Sequence, residues 1–179
     1  MELALVVLIS VSLLWVVYVS IRGRAAEIAN VEDFEAQVKQ VNLEALQNLM
    51  SSPDEAFLKE TLSAADYRQV EKARIRALLE YVAAISWNAV LFMRAAHVLQ
   101  QHRSADVVAA AALISKEALE LRVLSLTAEL LLTLRLVVPV ARIAPRGLGQ
   151  VYGSLRQQVA EAWKLSAFSA QHSLDTLST

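Results

Sequence analysis

Residues 64–102 read AADYRQVEKARIRALLEYVAAISWNAVLFMRAAHVLQQH, a run of 39 residues with no proline and no glycine. An unbroken helix of that length is about 58 Å long at about 1.5 Å per residue. Two adjacent apolar rows run along it. Tyr67, Val70, Leu78, Ile85, Phe92, Ala96 and Leu99 form one, and Ile75, Leu79, Val82, Val90 and Met93 the other. Lys72, Arg76 and Glu80 lie opposite. A stripe this wide demands packing against at least two other helices rather than a two-stranded coiled coil. His97 falls on an apolar row and is expected to be a core residue. Trp87 and Asn88 interrupt the polar side, so Trp87 is expected either to be covered by residues 53–62 or the last helix, or to anchor an interface.

Working outward toward the C-terminus, residues 100–104 are polar, and Ser104 can cap a helix that opens with Asp106 in its first turn. The pattern continues helical to residue 143. Two helices of matched length with a tight turn between them predict an antiparallel hairpin. On the second arm Leu119, Val123, Leu126, Leu130, Leu134, Val137 and Ala141 alternate at spacings of three and four, and they are expected to face the partner helix. Pro139 should bend this arm. The stretch Pro145–Arg146–Gly147–Leu148–Gly149 ends it, and a last helix over 150–172 should turn Val151, Leu155, Val159, Ala162, Trp163 and Phe168 inward. A frayed tail, 173–179, follows.

Toward the N-terminus, Ser63 with Asp66 forms a variant capping box for the long helix. The run Ser51–Ser52–Pro53–Asp54–Glu55 starts a short helix to residue 62. Asn30 caps an amphipathic helix expected over 31–50, with Val31, Phe34, Val38, Val41 and Leu46 on one side. From Glu27 to Asp66 nine acidic residues stand against two lysines; from Tyr67 to Lys164 thirteen basic residues stand against seven acidic ones. That asymmetry suits an acidic arm, 25–63, lying on a basic bundle domain, 64–172.

The first apolar stretch lies further out. Residues 3–21 carry no charge, and about 19 residues at roughly 1.5 Å each match the roughly 30 Å hydrocarbon core of a bilayer. Glu2 and the absence of Lys or Arg before the run argue against a cleaved leader, as does the Arg22–Gly23–Arg24 sequence after it. The reading is a retained signal-anchor over 1–24. Arg22 and Arg24 direct its C-terminal side, and hence the bulk of the chain, to the cytoplasmic face, with the N-terminus outside. Tyr18 fits the cytoplasmic interface. A second apolar stretch, 123–141, holds Glu129 and Arg135, each costing roughly 2.5–3.5 kcal/mol at mid-membrane. It is read as a bundle helix, with a membrane-associated helix as the alternative.

Chemistry is sparse. No cysteine is present, which removes disulfides, thiolate catalysis and Cys-ligated zinc. None of His97, His102 or His172 follows a Glu by three residues, as a di-metal carboxylate bundle needs. No phosphate-cradling glycine loop occurs, and Glu80 breaks the row Arg68, Lys72, Arg76 that a nucleic-acid face would want. Neither a cofactor nor a metal is expected, nor a nucleic-acid partner. Glu71, Lys72, Arg74 and Arg76 are expected to form exposed ion pairs. Arg135, Arg142, Arg146 and Arg156 form a basic run, 135–156, that is either a solvated face or an attraction for anionic lipid. The expectation is an all-α protein with an N-terminal transmembrane helix ahead of a helical bundle. No enzymatic activity is expected, and the expected partners are the lipid bilayer and a protein, or a second copy of itself. The alternative function is lipid contact or membrane remodelling through 123–141 and the basic run.

Overall fold

The computed structural model describes residues 28–137 and 147–177, and over these the chain is all helical. The anchor stretch with Tyr18, Arg22 and Arg24 lies outside the described residues, as do Pro139, Arg142 and Arg146. Six helices are described: α1 (Val31–Gln37), α2 (Leu43–Leu49), α3 (Ser52–Thr61), α4 (Ala64–Leu99), α5 (Ala105–Val137) and α6 (Leu148–Leu177). They form a bundle whose frame is α4, α5 and α6, with α1, α2 and α3 laid along α4.

Two helix starts follow the capping signals, at Asn30 and Ser63, whereas α3 opens after Ser51, which makes no side-chain cap bond. Asn30 accepts from the Asp33 N–H (2.8 Å), while Asp33 accepts from the Ala29 N–H (3.2 Å), so two otherwise orphaned donors are satisfied reciprocally. At α4 the Ser63 hydroxyl accepts from the Asp66 N–H and donates to the Asp66 carboxylate. Residues 100–104 connect α4 to α5, and the His102 Nδ1 accepts from the Ser104 N–H. Before α6 the turn is made by Gly147, whose φ of 85° is open to glycine and costly for other residues.

The helix expected over 31–50 is instead two helices. Residues 38–42 leave the helical path because another group takes over their hydrogen bonds. The buried Asn88 side chain accepts from the Lys39 N–H (2.9 Å) and donates to the Lys39 carbonyl (2.7 Å). Asn42 then caps α2 through the Ala45 N–H (3.0 Å). The end of α2 is held by Arg74, whose guanidinium donates to the Leu49 and Ser51 carbonyls.

The core is built on α4. Ile75, Leu78, Val82, Ile85, Phe92 and Leu99 are buried, as both of its apolar rows require. Phe92 stacks at a tilt between Phe34 of α1 and Tyr152 of α6, with centroids 5.8 and 5.9 Å apart. Among the described residues α4 is also the one helix long and apolar enough to cross a membrane. However, 61% of its most apolar window is buried inside the fold, and the core helix of a bundle meets the same criteria.

On α5 the packing face differs from the expected one. Leu119, Val123, Leu130 and Leu134 point away from the bundle, and the residues that face it are Val107, Ala111, Ile114, Ala118, Leu121, Ser125, Ala128 and Leu132. The facing row mixes small residues, Ala111, Ala118, Ser125 and Ala128, with large ones, Ile114, Leu121 and Leu132. Other expectations are also corrected. His97 is exposed rather than in the core, and Phe168 is 71% exposed rather than inward. The last helix continues to Leu177, through most of the stretch expected to fray.

Candidate interaction surface

The two sides of α5 carry opposite chemistry. Its inner side holds charge. Arg122, 7% exposed, donates to the Ser86 carbonyl (2.7 Å) and to the Ser86 hydroxyl on α4. Ser86 also hydrogen-bonds Glu129. Burial pushes the Glu129 carboxyl above the usual carboxylate range, with Ser86 and Arg122 partly opposing the shift; burial lowers Arg122. Near the C-terminal end of α5, Arg135 donates to Glu71 of α4 (2.8 Å) and Glu55 of α3 (2.9 Å). Burial works against the Arg135 charge, but the Glu71 hydrogen bond and the two carboxylates outweigh it and hold the guanidinium above its ordinary pKa. Tyr67 donates to Glu55 at 3.4 Å and is raised first by burial, then by Glu71 and Glu55. A cavity of about 30 Å³ beside this group is lined by Leu58, Val70, Arg74 and Leu78, room for about one water.

The outer side of α5 is apolar. From position 119 to 134 the exposed residues are Leu119, Glu120, Val123, Leu124, Thr127, Leu130, Thr133 and Leu134, with Glu120 the one charge among them. Leu119 and Val123 are each 56% exposed, and Leu130 and Leu134 nearly half. The two threonine hydroxyls turn back onto their own helix, donating to the Val123 carbonyl (2.8 Å) and the Glu129 carbonyl (2.7 Å). This strip therefore offers almost no polar group to a partner. Full burial of such a side chain stabilises by about 1.5–3 kcal/mol, so covering these half-exposed residues releases on the order of 1 kcal/mol each.

The other sequence candidates are separated in space and role. Trp87 is half-buried under the α1–α2 connection rather than under α3 or α6. Its indole donates to the Gln37 carbonyl (3.1 Å), and the Lys39 ammonium lies over its ring at 5.2 Å. Next to it, Asn88 also donates to the Tyr152 hydroxyl (2.8 Å), so one side chain ties α4, α6 and the connection together. Burial raises the Tyr152 pKa, with the Asn88 hydrogen bond opposing it.

Of the basic run, Arg135 turns inward to Glu55 and Glu71. Those pairs replace the exposed ion pair expected for Glu71 within α4. Arg156 is exposed on α6 and borders an open groove with Gln40, Val41, Asn42 and Tyr81. Glu55–Arg135 is one direct link between the acidic arm and the basic bundle. The sequence pattern assigns the leucines of the outward strip to the partner helix, with membrane association of 123–141 as the alternative. The available signal was the facing row Ala111, Ala118, Ser125 and Ala128, small residues at helical spacing. No group of three or more potential metal-ligating side chains occurs among the described residues. Comparison with protein-family models, curated proteins and solved structures finds no match for the chain.

Proposed function

We propose that the chain is a membrane-anchored, non-enzymatic interaction or scaffold protein. Residues 3–21 are its anchor, with the N-terminal side outside and the helical body on the cytosolic face. The frame of that body is a long antiparallel hairpin of α4 and α5. Pairing of Glu71 with Arg135 and of Ser86 with Arg122 supports this arrangement, since early positions on one helix meet late positions on the other. The observation that carries the functional reading is the outward strip of α5, where large aliphatic side chains face away from the body while arginine and glutamate face into it. A body held at a membrane gains effective concentration toward anything else there, so a modest apolar surface suffices for contact. Exposed Leu165 and Phe168 on α6 add apolar surface.

The test uses the full chain in sealed membrane vesicles. Because the chain lacks cysteine, Arg76→Cys on the exposed side of α4 introduces a single thiol. The expected result is a chain that resists alkaline extraction and reacts with an impermeant maleimide from the cytosolic side. Release by alkali, or labelling from the opposite side, overturns the reading.

A further inference from the structure

We infer that the outward strip of α5 rests on the bilayer that holds the anchor, with the helix axis parallel to the membrane plane and its aliphatic side chains at the boundary between headgroups and acyl chains. The inference rests on the anchor reading above and names what the strip touches. Reach is the first argument. Residues 22–27 are all that separate the apolar run from Ile28, which is buried in the body. Seven fully extended steps span at most about 25 Å, so the body cannot leave the membrane surface by more than about its own thickness.

Polarity is the second argument. In a water-facing helix the charges point out. In α5, Arg122, Glu129 and Arg135 are turned toward α3 and α4, and Leu119, Val123, Leu124, Leu130 and Leu134 point out. Thr127 and Thr133 bond their own backbone, as Thr61 does on α3, so the strip presents no free hydroxyl that needs water. Lys116 and Glu120 stand at the N-terminal end of the strip, within reach of headgroups.

Shape is the third. The strip is a single helical row about 24 Å long. Such a row fits a helix seated about 5–10 Å into an interface, where the anchor already supplies most of the attachment.

The experiment reconstitutes the full chain in vesicles and places single cysteines at Leu124→Cys and Leu130→Cys, with Arg76→Cys as the water-facing reference. Each is labelled with a small fluorophore and read with brominated lipids and with an aqueous quencher. Val123→Cys and Leu134→Cys repeat the measurement should one variant lose its helical melting transition. The expected result is several-fold stronger quenching by brominated lipid, and several-fold weaker aqueous quenching, at 124 and 130 than at 76, unchanged when the protein-to-lipid ratio is lowered. Aqueous quenching equal to that at 76 overturns the inference. Protection without lipid quenching overturns it too. Such protection, if lost on dilution, assigns the strip to a second copy; if kept, it assigns it to residues 3–21 or another protein. An alkaline wash of the same vesicles separates the two readings. A chain that stays while its strip labels report water leaves the anchor standing and removes only this inference; a chain that washes off removes both.

Discussion

Helices α4 and α5 are similar in length and run beside each other, yet they are built on opposite plans. Helix α4 is enclosed, with large side chains inward, charges outward and α1, α2 and α3 laid along it. Helix α5 buries Ile114, Leu121 and Leu132 among alanines, a serine and an arginine, and leaves Leu119, Val123, Leu124, Leu130 and Leu134 outside. The difference teaches that hydrophobicity and packing are separable. A helix that is apolar on both sides fills the core with one set of aliphatic side chains and leaves the other set outward.

Substitutions can break that contrast at several points. The largest effect is expected at Asn88. Asn88→Ala leaves the buried Tyr152 hydroxyl and the part-buried Lys39 N–H and carbonyl without their partner, a loss of about 3 kcal/mol at about 1–3 kcal/mol per unsatisfied group, allowing for relaxation and for water at Lys39. Denaturant titration of the detergent-solubilised chain measures it.

Arg135→Ala comes next. It leaves Glu55 and Glu71 facing each other without the guanidinium, at about 2 kcal/mol. This is below the about 3–5 kcal/mol of a fully buried pair, because the Glu55 side chain is 33% exposed. The same titration checks it, and high salt should shrink the effect.

Ala118→Leu places three more carbons where α5 meets its neighbours, at a cost of about 1–3 kcal/mol. Leu119→Ala, one position away on the outward side, should change folding stability by less than about 0.5 kcal/mol. If the two melt alike, the contrast between the faces fails.

Acidity sharpens it further. The Glu129 pKa is raised in the folded chain, so the folded state binds this proton more tightly than the unfolded one. Stability from this group is therefore fully present below the ordinary glutamate pKa and falls as pH rises through the raised value. The stability difference between the native chain and Glu129→Gln should vary across that window, with the native chain losing ground as pH increases. A constant difference means that the carboxyl is not buried.

Much of this fold is written locally. Asn30, Ser63 and the polar stretch 100–104 are readable because a cap or turn depends on neighbours within a few residues. The break at 38–42 is not, because its cause, Asn88, lies 49 residues away in the chain. The inner face of α5 is hidden for a different reason. Leucine and valine occur all round this helix, so periodicity does not choose a side, and the buried side differs from the outer one in carrying Ala111, Ala118, Ser125 and Ala128. The candidate surface shares that blind spot, since it consists of the leucines the pattern assigned to the interior. Trp87 was legible as an anomaly, but its indole bond to the Gln37 carbonyl depended on the same distant break.

The Asn88 clasp also has a mechanical meaning. Tension on the chain from the N-terminal side meets buried Ile28 and then α1, whose Phe34 packs on Phe92, before it reaches residue 39, which is bonded on both its N–H and its carbonyl to one side chain near the middle of α4. A pull from that side is thus delivered to the central part of the longest helix, and α2 and α3 lie further along the chain than this joint.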